Sequence, residues 1–174
     1  MTLIVETGTG SASSESYVSV AQADQYHSDR MMTLWATMST VEKEGALRRT
    51  CDYLTTAYRL RWAGNRKTLT QALDWPRSFV PIKDAPNYYG GSSAYYSDSA
   101  VPAELVAASC SLALRAAAGQ LIEDQERAVT SVTVGPISQS YDKNSSQSKR
   151  YPEIDAMLRP LLKGNTSQVT MVRV

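Results

Sequence analysis

A mainly α fold, a small bundle of three to four helices with one β-hairpin and extended termini, is what the sequence predicts. Three observations carry it. Apolar side chains recur at intervals of three and four behind two capping boxes, an Ala- and Leu-rich stretch begins at Pro102, and the spacing falls to two around Gly135-Pro136.

Met1 to Val5 is apolar and β-branched and reads as a short strand or extended arm, which Gly8, Gly10 and the small residues Ser11 to Ser14 then break into a flexible arm. Ser19 with Gln22 has the form of a capping box, in which the hydroxyl takes a backbone N–H and the amide reaches back. Val20, Ala23 and Tyr26 follow at helical spacing, so a helix runs from about Val20 to Arg30. Ser39 with Glu42 repeats the device. Leu47, Cys51, Leu54 and Tyr58 then share one face of a second helix, about Thr40 to Tyr58.

The helical pattern stops after Trp62 and Gly64. Trp75-Pro76 imposes an extended step, because the proline ring disfavours α geometry in the residue before it. A loop running to about Ala100 holds Pro81, Pro86, Gly90, Gly91 and the pairs Tyr88-Tyr89 and Tyr95-Tyr96, and connections of that length are usually functional or mobile. Pro102 suits a first helical position, Glu104 suits the first turn, and the third helix covers Ala103 to Leu121. Val129 to Val134, the turn Gly135-Pro136 and Ile137 to Tyr141 read as the hairpin. Asp142 to Lys149 is polar. Pro152 then starts a last helix with Ile154, Met157, Leu158 and Leu161 on one face, ended by Gly164.

The 174 residues fit one domain, read as 1–163 with a C-terminal arm at 164–174. With 18 Lys plus Arg against 17 Asp plus Glu there is no strong field to attract nucleic acid. Cys51 and Cys110 lie in apolar helical patterns without a C-x-x-C, and two buried thiols are expected. No basic leader precedes residue 6 and no apolar run approaches the ~20 residues that span a bilayer, so the chain is expected in a cytoplasm, away from membranes.

No catalytic or metal-binding set emerges. His27 is the single histidine, without a companion at ligand spacing, and a surface or capping role is expected. Gly8-Thr9-Gly10 lacks the strand, third glycine or Gly-Lys-Ser/Thr ending of a phosphate cradle. Asp24, Asp29, Glu42 and Glu44 fall on polar helix faces beside Arg30 and Lys43 and read as solvated surface. The chain is therefore expected to be no enzyme and to need no cofactor.

One constellation is basic and aromatic: Arg48, Arg49, Arg59, Arg61, Trp62, Arg66 and Lys67, with Trp75 and Arg77 shortly after. Cations interleaved with stacking rings suit a single-strand binder. The same residues also suit a helix end whose arginines face the macrodipole while Trp62 and Trp75 close the core, and the near-zero charge favours that reading. Arg61, Arg66, Lys67, Tyr88, Tyr89, Tyr95 and Tyr96 remain candidate contacts for a protein partner or for DNA. Asn165 to Val174 alternates polar and apolar, and Val169, Met171, Val172 and Val174 would be exposed without a partner.

The segments "SYVSVAQADQYH", "ALRRTCDYLTTAYRLRWAGNR", "QALDWPR", "VPAELVAASCSLALRAAAG", "VGPISQSYD" and "YPEIDAMLRPLL", in this order after "MTLIVETGTG", resemble a family of phage proteins carrying a DnaT-like single-stranded-DNA-binding label. The resemblance spans nearly the whole chain. Its members look like the head-tail connector, or adaptor, proteins of long-tailed phages. That implies a virion neck protein: a homo-oligomeric ring, expected dodecameric, bound to the portal protein and to a stopper or tail-terminator protein, with transient, sequence-independent contact with genomic DNA. The arm at Val169, Met171, Val172 and Val174 is then expected to dock on the portal. The DNA-binding label implies the alternative, a replication protein.

Overall fold

The computed structural model describes residues 2–85, 94–122, 129–133, 138–141 and 151–164, with the 129–133 and 138–141 strands described by their backbone. Among these residues are five α-helices, α1 (Val20–Ser28), α2 (Thr33–Ala36), α3 (Thr40–Tyr58), α4 (Ala103–Ala118) and α5 (Pro152–Leu158), the last running into a 3-10 turn at Arg159–Leu161. Two antiparallel ribbons accompany them: β1 (Asn65–Arg66) with β2 (Arg77–Ser78), and β3 (Val129–Thr133) with β4 (Ser138–Tyr141). The hairpin pairs Val129 with Tyr141 and Thr133 with Ser138, and its register shifts between Val129 and Ser131. The predicted class, a mainly α bundle with one hairpin, is the observed one.

Both capping boxes form: the Gln22 N–H donates to Ser19 Oγ at 3.2 Å and the Ser19 N–H to Gln22 Oε1 at 2.9 Å, with Glu42 closing the same circuit on Ser39. The predicted stripe of α3 is wholly inside, since Leu47, Cys51, Leu54 and Tyr58 are all buried. It packs on α4, whose buried face of Leu105, Ala108, Ser109, Leu112, Ala113 and Ala116 is mostly small and lets the two axes approach closely. α5 packs on α4 with Ile154 and Leu158 buried, and Asp155 accepts from the Tyr58 hydroxyl of α3 at 3.0 Å.

The chain after α5 is stitched to the exit of α3. Ala63 donates to the Leu161 carbonyl at 3.0 Å, Lys163 donates to that of Arg61 at 2.8 Å, and Trp62 bridges Leu162. Lys83 Nζ reaches the Arg159 and Leu162 carbonyls, both at 2.9 Å, which satisfies the open end of the 3-10 turn.

Four local readings need correction. The Gly8–Gly10 segment is a built turn: its backbone N–H groups converge on the Glu6 carboxylate, and Gly8, at φ 97, lies so close to the Ser99 backbone that a Cβ would collide with it. His27 is inside, 2% exposed, with Nε2 at 3.1 Å from the Cys110 carbonyl and its ring stacked 4.6 Å from Trp35. The buried line of α1 runs through Ala23 and His27, one turn apart, and Val20 and Tyr26 flank it, partly buried against the same core. Burial holds the His27 pKa below its usual value, against the pull of the Cys110 carbonyl, so the ring packs as a neutral aromatic. Third, the short α2 went unpredicted, because four residues carry no period. Last, the chain between β2 and α4 is not one open loop: Ile82 donates to the Ala94 carbonyl at 2.8 Å and Tyr96 to that of Val80 at 2.9 Å, and Pro81 bridges Tyr95. The Trp75-Pro76 peptide bond is cis, and Trp75 lies outside any helix as its place before a proline predicts.

Candidate functional site

The basic and aromatic residues between Arg48 and Arg77 do not assemble into one outward face. Arg48 forks onto Glu15 at 3.0 Å and touches Glu44 at 3.4 Å, while Arg59 donates through Nε to the buried Asp74 carboxylate at 3.1 Å. Arg61 meets Asp155 at 2.9 Å and lies over the Tyr58 ring at 4.6 Å. Arg66 donates to the Gln71 carbonyl and, at 3.4 Å, to that of Leu73; Lys67 Nζ donates to the Gly8 carbonyl at 3.1 Å. Arg77 is buried, its guanidinium spent on the Ala63 and Gly64 carbonyls, both at 2.7 Å, and burial lowers its pKa. Arg49 is exposed and has no ion pair among the described residues.

The tryptophans face inward as well. Trp62 and Trp75 meet edge to face at 5.9 Å with no exposure, and Trp35 is 1% exposed. The "QALDWPR" motif is thereby a structural plug. Gln71 folds back onto the Leu73 and Pro76 carbonyls, Asp74 accepts from Trp62 Nε1 at 3.3 Å, and the Tyr17 hydroxyl takes the Asp74 N–H at 3.0 Å. Buried polar groups satisfied in this way specify how the segment packs, although Trp75 Nε1 has no hydrogen-bond partner among the described residues.

The tyrosine candidates divide. Tyr96 is half-buried and donates to Glu104 at 2.8 Å, an anchor for the start of α4, whereas Tyr95 is exposed and packs edge to face with Phe79 at 6.2 Å. Phe79 is 70% exposed and sits at φ 60, a left-handed conformation that a bulky residue seldom adopts. Sequence reasoning missed it, since an isolated aromatic carries no pattern. Tyr88, Tyr89, Val169, Met171, Val172 and Val174 lie outside the described residues.

A second exposed apolar group surrounds α2: Met31, Met32, Leu34 and Val41. Met31 and Met32 of this group line an open cavity of about 420 Å³ together with Asp24, His27, Trp35 and Lys43. Asp24 Oδ1 there accepts from Trp35 Nε1 at 2.7 Å and from Lys43 Nζ at 2.9 Å, yet its side chain remains 46% exposed. Asp24 thus differs from the free solvated surface predicted for it. Among the described residues no group of three His, Cys, Asp or Glu could hold a metal ion, and no helix is long and apolar enough to cross a membrane.

Compared with known families, residues 1–174 match the one described as "Putative DnaT-like ssDNA binding protein". No curated protein and no solved structure matches the chain.

Proposed function

We propose that this chain, which belongs to the DnaT-like ssDNA-binding family, is a non-enzymatic head-tail connector subunit of a tailed phage virion. Copies form a ring between the portal protein and the stopper or tail-terminator protein, around the channel through which the DNA passes. One observation carries the preference for an assembly role over strand binding: in the Arg48–Arg77 constellation both tryptophans are buried and every cation but Arg49 is engaged within the subunit, while Met31, Leu34, Val41, Leu60, Leu69 and Phe79 stand exposed. Strand binding draws its affinity from cations free to neutralise phosphates and from rings free to stack. Exposed apolar side chains instead favour protein partners.

A ring requires a heterologous interface that closes on itself, expected at twelve copies. With a net charge of +1 the subunit holds passing DNA weakly, as a conduit should. Single-stranded-DNA binding in replication is the second reading, and the family's description is what favours it. Particles made by a phage carrying this gene separate the two. Mass spectrometry of purified virions should find the chain at ring stoichiometry, and cryo-electron microscopy should place it in the neck. Its absence from particles, with recovery on replicating single strands, would establish the second reading.

A further inference from the structure

The ring reading leaves open what joins one copy to the next, and the two ends of α3 differ in a way that bears on it. At its C-terminal end the chain leaves the described fold: Lys163 is hydrogen-bonded to the Arg61 carbonyl, and Gly164 follows it. At its N-terminal end lies the cavity of about 420 Å³ under α2, with Lys43 from the start of α3 in its wall.

The cavity offers an apolar rim and a carboxylate that Lys43 only half engages. Met31 and Met32 rim it, 86% and 45% exposed, and Met31 is held at φ 55, a conformation that side-chain-bearing residues rarely adopt. Inside, the Asp24 carboxylate has one oxygen engaged by Trp35 and Lys43, and Oδ2 has no partner among the described residues. His27 lines the same cavity, and its Nδ1 has no partner among the described residues either.

Residues 165–174, Asn-Thr-Ser-Gln-Val-Thr-Met-Val-Arg-Val, suit that lining. Arg173 is their single charged residue and stands between Val172 and Val174. We infer that the 169–174 segment of one copy docks in the cavity under α2 of the next, with Val172 against the methionine rim and Arg173 on Asp24. This rests on the ring reading and moves the segment from the portal, where sequence reasoning placed it, to a neighbouring copy. Distance leaves the neighbour open: from Lys43 in the cavity wall to Tyr58 α3 rises ~22 Å and the nine steps from Gly164 to Arg173 span at most ~32 Å, so the segment reaches the cavity of its own subunit only when largely extended, whereas an adjacent copy can present its cavity nearer. A donor at one end and an acceptor at the other make a head-to-tail contact, the type that closes into rings.

Disulfide trapping in the full chain tests this. Cys51 and Cys110 are 3% and 0% exposed, so thiols placed by Met31→Cys and Val172→Cys would be the reactive ones among the described residues and the docking segment. Diamide oxidation of the double variant should give a ladder of species beyond the dimer on a non-reducing gel. Mixing the two single variants, one of them tagged, should give the mixed dimer. Adding Arg173→Glu should lower the ladder yield about fivefold, the weight of one exposed ion pair, and Arg173→Lys should largely restore it. A link formed within one chain would overturn the inference. So would the absence of any link: if wild-type protein still sediments as a ring, only the docking assignment falls, and if it does not associate at all, the ring reading falls with it.

Discussion

Trp62→Ala should destabilise the subunit by about 4 kcal/mol, a large part of the roughly 5–15 kcal/mol that holds an ordinary domain folded. Trp62 has no exposure, meets Trp75 edge to face, packs beside Tyr58 at 5.7 Å, and bridges Leu162 through its backbone. Truncation would leave a void where the exit of α3, the "QALDWPR" plug and the end of α5 meet, and it would remove one of the two side-chain donors that hold the buried Asp74 carboxylate. Trp62→Phe keeps most of the ring and loses the indole donor, so it should cost about 2 kcal/mol. Chemical denaturation measures both. Wild-type stability in Trp62→Ala would show that this ring is not structural and reopen it as a stacking surface.

Glu6→Ala should cost about 3 kcal/mol, an effect large for a residue so near the start of the chain. Glu6 Oε1 accepts from the N–H groups of Gly8, Thr9 and Gly10 at 2.8, 2.8 and 3.0 Å, and Oε2 accepts from the Ser11 N–H at 2.9 Å and the Ser14 hydroxyl at 3.0 Å. Successive N–H groups closing on one anion form a nest, filled here by the chain's own carboxylate. Burial pushes the Glu6 pKa up, but the donors of Gly10, Ser14, Ser11 and Gly8 outweigh it and hold the group below its usual 4.5. The carboxylate therefore contributes stability that is fully present above pH 4.5 and is lost as the pH falls through the lower value of the folded state. Glu6→Ala should flatten that acid-side loss in thermal unfolding. An unchanged pH dependence would mean that the nest does not hold the charge.

The parts of this fold that were legible in the sequence are those with period or punctuation. Ser39 and Glu42 fix the start of α3 and the four-three-four spacing from Leu47 to Tyr58 fixes its buried face, because both signals are local. The polar interior was not legible. Asp74 and Arg77 sit in a segment that reads as loop, and their partners Trp62, Tyr17 and Ala63 come from elsewhere in the chain. His27 misled for a related reason: an imidazole counts as polar in a hydropathy pattern, yet when neutral it packs like the Trp35 ring beside it. The basic constellation could be named residue by residue, but which cations face outward depends on Glu15, Asp74 and Asp155, whose proximity is purely tertiary.

The claim that this subunit spends its cations and rings on itself and offers its apolar surface to other copies is tested most directly by sedimentation velocity. The full chain would be mixed with a fluorescent oligothymidylate at physiological salt. Expected is a protein boundary that moves faster as protein concentration rises, while the fluorescence stays in the slow boundary until the protein exceeds roughly the micromolar range of non-specific binding. A protein that remains monomeric and carries the oligonucleotide with it at nanomolar concentration would contradict the claim and make the chain a strand-binding protein.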